Sequence, residues 1–129
     1  MTRSFKDLSK DESDHALALH RESIVIDASL VGYIDYVGED IWVDDLLKGG
    51  VTASNATVGM QHSLTEALNE MATYHKWAEK TKEKALIVKS ASDISKAKEE
   101  GRHGVIFGPQ DSSFLEGNPE FLKIAYDYG

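Results

Sequence analysis

The sequence predicts an α/β chain built on a parallel sheet. Three short apolar runs carry that prediction: Ser23-Ile-Val-Ile-Asp27, Gly50-Val-Thr-Ala-Ser-Asn55 and Gly104-Val-Ile-Phe-Gly-Pro-Gln110. Each ends in polar residues, and stretches of helical periodicity separate them. Strand and helix in alternation is the pattern of parallel strands joined by crossover helices. Ligands of such sheets gather at the carboxyl ends of the strands. Asp27, Asn55 and Gln110 stand at or near those ends.

The elements follow in order. Ser9-Lys-Asp-Glu12 has the spacing of a capping box and opens a helix through His15 and His20 that ends near Arg21. The first strand follows and runs to Asp27. Asp40 to Lys48 reads as a short amphipathic helix capped by Asp40 and ended by Gly49-Gly50. The second strand starts at Val51. From Leu64 to Lys82, apolar side chains at Leu64, Ala67, Leu68, Met71, Tyr74, Trp77 and Ala78 make one stripe, with Ser63 as cap and Glu66 three residues on. Leu86 to Val88 is a brief extended run. Ser92 or Asp93 then caps a helix that Gly101 terminates. The third main strand spans Gly104 to Gly108, and a last helix begins near Pro119, a favoured first-turn residue.

Composition narrows the function classes. A length of 129 residues suits one domain, with residues 1–10 read as a flexible start. The formal net charge of -8 argues against general nucleic-acid binding and against docking on an anionic membrane surface. Without cysteine there is no disulfide, thiolate zinc site or iron–sulfur cluster. No apolar leader or stretch of membrane-spanning length is visible. The expectation is a soluble cytoplasmic protein.

Several segments together resemble one family, the membrane (renal-type) dipeptidases, peptidase family M19. They are Leu19-His-Arg-Glu-Ser23 leading into Val25-Ile-Asp27, the Gly49-Gly-Val51 strand entry, and the run from Ala91 to Ile106, which from Asp93 onward fits a DIxxAKxEGxxGVI pattern. The ending Phe121 to Gly129 is similar to the helix before that family's fourth strand. The resemblance covers residues 11 to 129 and implies the first three strand–helix units of a TIM-like (β/α)₈ barrel. It also implies a two-zinc site and hydrolysis of dipeptides.

Departures from the family pattern fall at its zinc ligands. Where the family carries Asp-Gly-His-x-Asp, this chain has Asp27-Ala-Ser-Leu-Val31, so Ser29 and Val31 stand at the ligand positions. Where the family has a bridging glutamate, this chain has Gln110. Valine offers no lone pair, and serine and a neutral amide are poor zinc ligands. The resemblance implies zinc; the replacements predict that this chain does not hold it, with Gln110 as the sole inherited metal position. The Gly108-Pro-Gln-Asp-Ser-Ser113 stretch is similar to a variant subgroup motif, GFQNTS.

Candidate substrate contacts are Asp27, Asn55, Gln110 and Asp111, each with a competing structural role as a strand cap or turn residue. His62 is the one histidine placed near the ligand-binding rim. His15 and His20 are five apart, the wrong interval for paired ligands on a helix, and His75 and His103 read as packing residues. A Ser29–His62–Asp111 triad can be written down, but no Gly-x-Ser-x-Gly elbow supports it. Two functions compete: a dipeptidase-like hydrolase inactive as this piece alone, and a non-catalytic binding or scaffold relative. A partial barrel also predicts an unpaired third strand and self-association through its edge.

Overall fold

The computed structural model describes residues 7–30 and 41–128. Helix α1 (Lys10–Glu22) starts at the expected capping box, with Ser9 and Glu12 bonded reciprocally. Strand β1 (Ile26–Leu30), helix α2 (Ile41–Lys48), strand β2 (Ala53–Val58) and helix α3 (Leu64–Lys80) follow. Strand β3 (Ala85–Ile87), helix α4 (Ala91–Glu100), strand β4 (His103–Pro109), a 3₁₀ turn (Ser113–Leu115) and helix α5 (Phe121–Tyr128) complete the order. The sheet is parallel throughout, in the order β1-β2-β4-β3. This is the predicted α/β architecture, a partial TIM-like barrel.

Local chemistry accounts for the boundaries. Ser63 caps α3 as expected, its side chain accepting from the Glu66 N–H while Glu66 accepts from the Ser63 N–H. Gly101 ends α4 in the left-handed region at φ 65°, where a residue without Cβ costs least. The cap of α4 is Ser90, not Ser92 or Asp93; Asp93 is the N3 partner and also accepts from the Lys89 N–H. The proposed Asp40 cap lies outside the described residues.

Two strand assignments shift. β1 begins three residues later than the apolar run and β2 extends past Asn55 to Val58. Asp27 and Asn55 are therefore inside strands, not at their ends. The brief extended run is a strand in its own right. It corrects a further expectation: the strand thought to lack a neighbour has β2 along its length and β3 beside His103–Val105.

Register divides the sheet into two faces, since opposed residues of parallel strands point the same way. Ala56 opposes Phe107, Ser54 opposes Val105, and Leu30 opposes Ala56. That face builds the core with Trp42 and Val43 of α2 and with Met71, Tyr74, Trp77 and Ala78 of α3. The Trp42 and Trp77 rings stack with centroids 4.7 Å apart. Asn55, Thr57, Ile106 and Gly108 lie on the other face, half-buried.

His103 opens β4 and is fully buried, its edge against Trp42 and its Nδ1 donating to the Val51 carbonyl at 3.2 Å. Burial pushes its pKa below the ordinary value, outweighing the Val51 bond and the Asp27 charge, which act the other way. The unfolded chain thus takes up this proton first as pH falls. Stability is expected to decline as pH drops through about 6.5, until the folded-state pKa is reached. Urea unfolding between pH 8 and pH 5 should show that loss, and His103→Gln should flatten it.

Candidate functional site

The carboxyl ends of β2 and β4 lie side by side, with Val58 opposite Pro109. Residues 59–63 leave β2 and residues 110–113 leave β4, so the two loops form one rim. The sequence makes the first loop tight: Gly59 takes φ 67°, and a Cβ there would meet the Ala67 Cβ at 3.2 Å. Gln61 also takes a positive φ, 57°, an uncommon conformation for a residue with a side chain.

Carboxylates hold these loops. Glu70 accepts from the Gly59 N–H at 2.6 Å, Asp111 from the Gln61 N–H at 2.9 Å, Glu66 from the Ser63 N–H at 2.8 Å, and Glu116 from the Leu64 N–H at 3.1 Å. Asp111 also accepts from the Ser113 hydroxyl and, at 2.8 Å, from the Ser113 N–H. The Ser113 hydroxyl, then the Ser113 and Gln61 amides, hold its pKa below the usual carboxylate value. Asp111, predicted to face substrate, is a clasp between the two loops.

Asn55 sits one strand layer below the rim. A Cβ on Gly108 would fall 1.5 Å from Asn55 Oδ1 and 2.5 Å from its Cγ. The amide of Asn55 therefore lies across the bare backbone of Gly108, in space that any side chain there would fill. Gln110 is exposed at the head of the second loop, its N–H donating to the Val58 carbonyl at 3.3 Å.

Asp27 does not join them. It opposes Ser54 on the core face, lies within electrostatic reach of His103, and accepts from the Ser29 N–H at 3.1 Å. The pairing of β1 slips between Asp27 and Leu30, where a bulge places Ala28 and Ser29 at the surface. Of the predicted contacts, Asn55, Gln110 and Asp111 share the rim region and Asp27 is apart. His20, His75 and His103 have the packing roles expected of them: His20 Nε2 bonds the Gly49 carbonyl at 2.8 Å and His75 Nε2 the Tyr128 carbonyl at 3.1 Å.

The chain is similar in three dimensions to an amidohydrolase. The match is the crystal structure of an amidohydrolase from Pseudomonas aeruginosa, with a TM-score of 0.78 and 28% sequence identity over 88% of this chain. This chain spans 34% of the length of that amidohydrolase. No protein-family profile and no curated protein matches the sequence. The likeness is to a hydrolase-type protein; it leaves dipeptidase specificity as an expectation of the sequence resemblance.

The donors among the described residues do not make up the two-zinc site of that resemblance. Among the described residues no three His, Asp or Glu side chains converge as metal ligands. Ser29, Asn55 and Gln110 offer neutral oxygens, and the four rim carboxylates are engaged by backbone N–H groups. Val31 lies outside the described residues. No helix among the described residues is long and apolar enough to cross a membrane.

One residue was under-read in the sequence. His62 Nδ1 lies 3.2 Å from Glu70 Oε1, a proximity that seven intervening residues conceal until α3 folds back beside its own entry loop. The signal was available in part, since Glu70 is two helical turns from Ser63 and so points back toward the N-terminal rim.

Proposed function

We propose that this chain supplies the N-terminal strands of a hydrolase-like barrel that binds a dipeptide-like amide at the β2–β4 rim. One observation carries the reading: the Asn55 carboxamide laid over Gly108, two residues before the exposed Gln110, near the carboxyl end of a parallel sheet where ligands bind. A carboxamide pairs with a peptide group by offering one donor and one acceptor in a plane. Gln110 adds a second amide where the resembled family carries a metal-bridging glutamate. Asp111 shapes the loop that presents it, and Asp27 steadies β1 from the other face. The amidohydrolase likeness supports a hydrolase-like relative, and the dipeptide class comes from the sequence resemblance.

Calorimetric titration of the chain with alanyl-alanine and its D-containing isomers tests the reading. Binding is expected, and Asn55→Ala should weaken it about tenfold, the scale of one well-made hydrogen bond. Zinc-dependent hydrolysis of the dipeptide by this chain alone would overturn the assignment of neutral residues to the rim. Absence of any dipeptide binding would favour the scaffold alternative instead.

A further inference from the structure

Alternation along β2 sorts its polar side chains into two settings. Ser54 faces the helices and is fully buried, its Oγ enclosed without a hydrogen-bond partner. Asn55 and Thr57 face the opposite side of the sheet and are half-buried. Among the described residues neither side chain has a hydrogen-bond partner, yet none of their polar atoms is among those buried without one. Polar atoms that are neither paired nor enclosed stay open to solvent. The carboxamide of Asn55 and the hydroxyl of Thr57 are therefore both available on this face.

The register brings the two heads to one level. Thr57 opposes Gly108, whereas Asn55 opposes Ile106, two residues earlier on β4. The Asn55 carboxamide does not stay at its own level. A Cβ on Gly108 would lie 1.5 Å from its Oδ1 and 2.8 Å from its Nδ2, so the amide reaches forward and across to the position facing Thr57. Gly108 has no side chain of its own to fill that position. What Thr57 meets across the strand gap is the carboxamide, and the space above both is open. Its branched shape suits a strand, but its hydroxyl bonds nothing in the fold. The fold needs only the shape, and that leaves the hydroxyl for a ligand.

We propose that Thr57 is a second ligand-binding residue of this face, its hydroxyl holding the polar group that adjoins the amide held by Asn55. This rests on the amide-binding reading above and deepens it. The ligand class narrows to chains that carry a second polar group beside the amide, as the amino and carboxylate ends of a dipeptide do. A hydroxyl donates or accepts by rotation, so Thr57 meets either of those groups without moving its backbone.

Calorimetry with alanyl-alanine, run beside urea unfolding of the same proteins, tests this. Thr57→Val keeps the branched shape and removes the hydroxyl. It should weaken the dipeptide about tenfold, the scale of one hydrogen bond, and leave the urea midpoint unchanged. Thr57→Ser restores the hydroxyl and should rescue affinity to within about twofold of the unsubstituted chain. Full affinity in Thr57→Val, with Asn55→Ala weakened, overturns the proposal and leaves the amide-binding reading standing. A lowered urea midpoint in Thr57→Val also overturns it, because the hydroxyl would then serve the fold. Thr57→Ser binding as weakly as Thr57→Val overturns it too. No binding of alanyl-alanine by the unsubstituted chain overturns both readings.

Discussion

Trp77→Ala is expected to lower the unfolding free energy by about 3–5 kcal/mol, the usual cost of deleting a buried indole and leaving its cavity. Trp77 is buried and stacked on Trp42, so the substitution empties the junction between α3 and α2. The surrounding surfaces cannot close the gap freely. Tyr74 and Met71 hold α3 against the sheet, and Trp42 also presses on the fully buried His103. Urea unfolding followed by circular dichroism measures the loss directly. Tyr126→Ala is the matched control: Tyr126 is 78% exposed and its removal should change stability by no more than about 0.5 kcal/mol. A Trp77→Ala loss as small as the control's would contradict the core described here.

Gly108→Ala is expected to evict the Asn55 carboxamide and weaken alanyl-alanine binding about tenfold, as the loss of one hydrogen-bonding group would. A methyl group cannot coexist with an oxygen 1.5 Å away, so Asn55 must change rotamer. Overfilling of this kind costs about 1–3 kcal/mol of stability. The double variant Asn55→Ala/Gly108→Ala separates the two effects. It should recover the stability, because the clash is gone, and should not recover the binding, because the amide is gone. Calorimetry and urea unfolding on the four proteins complete the cycle. Full binding by Gly108→Ala would place the ligand elsewhere.

Much of the fold was legible because it is written in local pattern. The capping boxes at Ser9 and Ser63, the stripe from Ala67 to Ala78 and the left-handed stop at Gly101 each rest on residues within one or two helical turns. The parallel sheet followed from the alternation of strand and helix. Strand ends were harder, since apolar character does not mark where pairing begins. Ile24 and Val25 look like strand yet precede it, and Ala56-Thr-Val58 continues a strand that Asn55 seemed to end. The position of β3 outside β4 is a long-range choice that no local signal encodes.

For the candidate site residues, position along the strands was more legible than the contacts each one makes. Asn55 and Gln110 were chosen by reasoning from strand ends, whereas the packing of Asn55 against Gly108, fifty-three positions away, has no signal in the local sequence. Asp111 was recognised as polar and near the rim, but its oxygens turn toward Gln61 and Ser113. Asp27 fell on the opposite face once the register was fixed. His62 and Glu70 meet only because α3 packs beside the loop that precedes it.

The clasping of residues 59–64 by acidic side chains bears on how an incoming molecule perceives this surface. A bulk count of charges describes an acidic protein, and at the mouth of the sheet Glu66, Asp111 and Glu116 stay exposed while they accept amide hydrogens. An approaching solute meets a carboxamide set among ionised carboxylates, a lining that favours an incoming ammonium group over a free carboxylate.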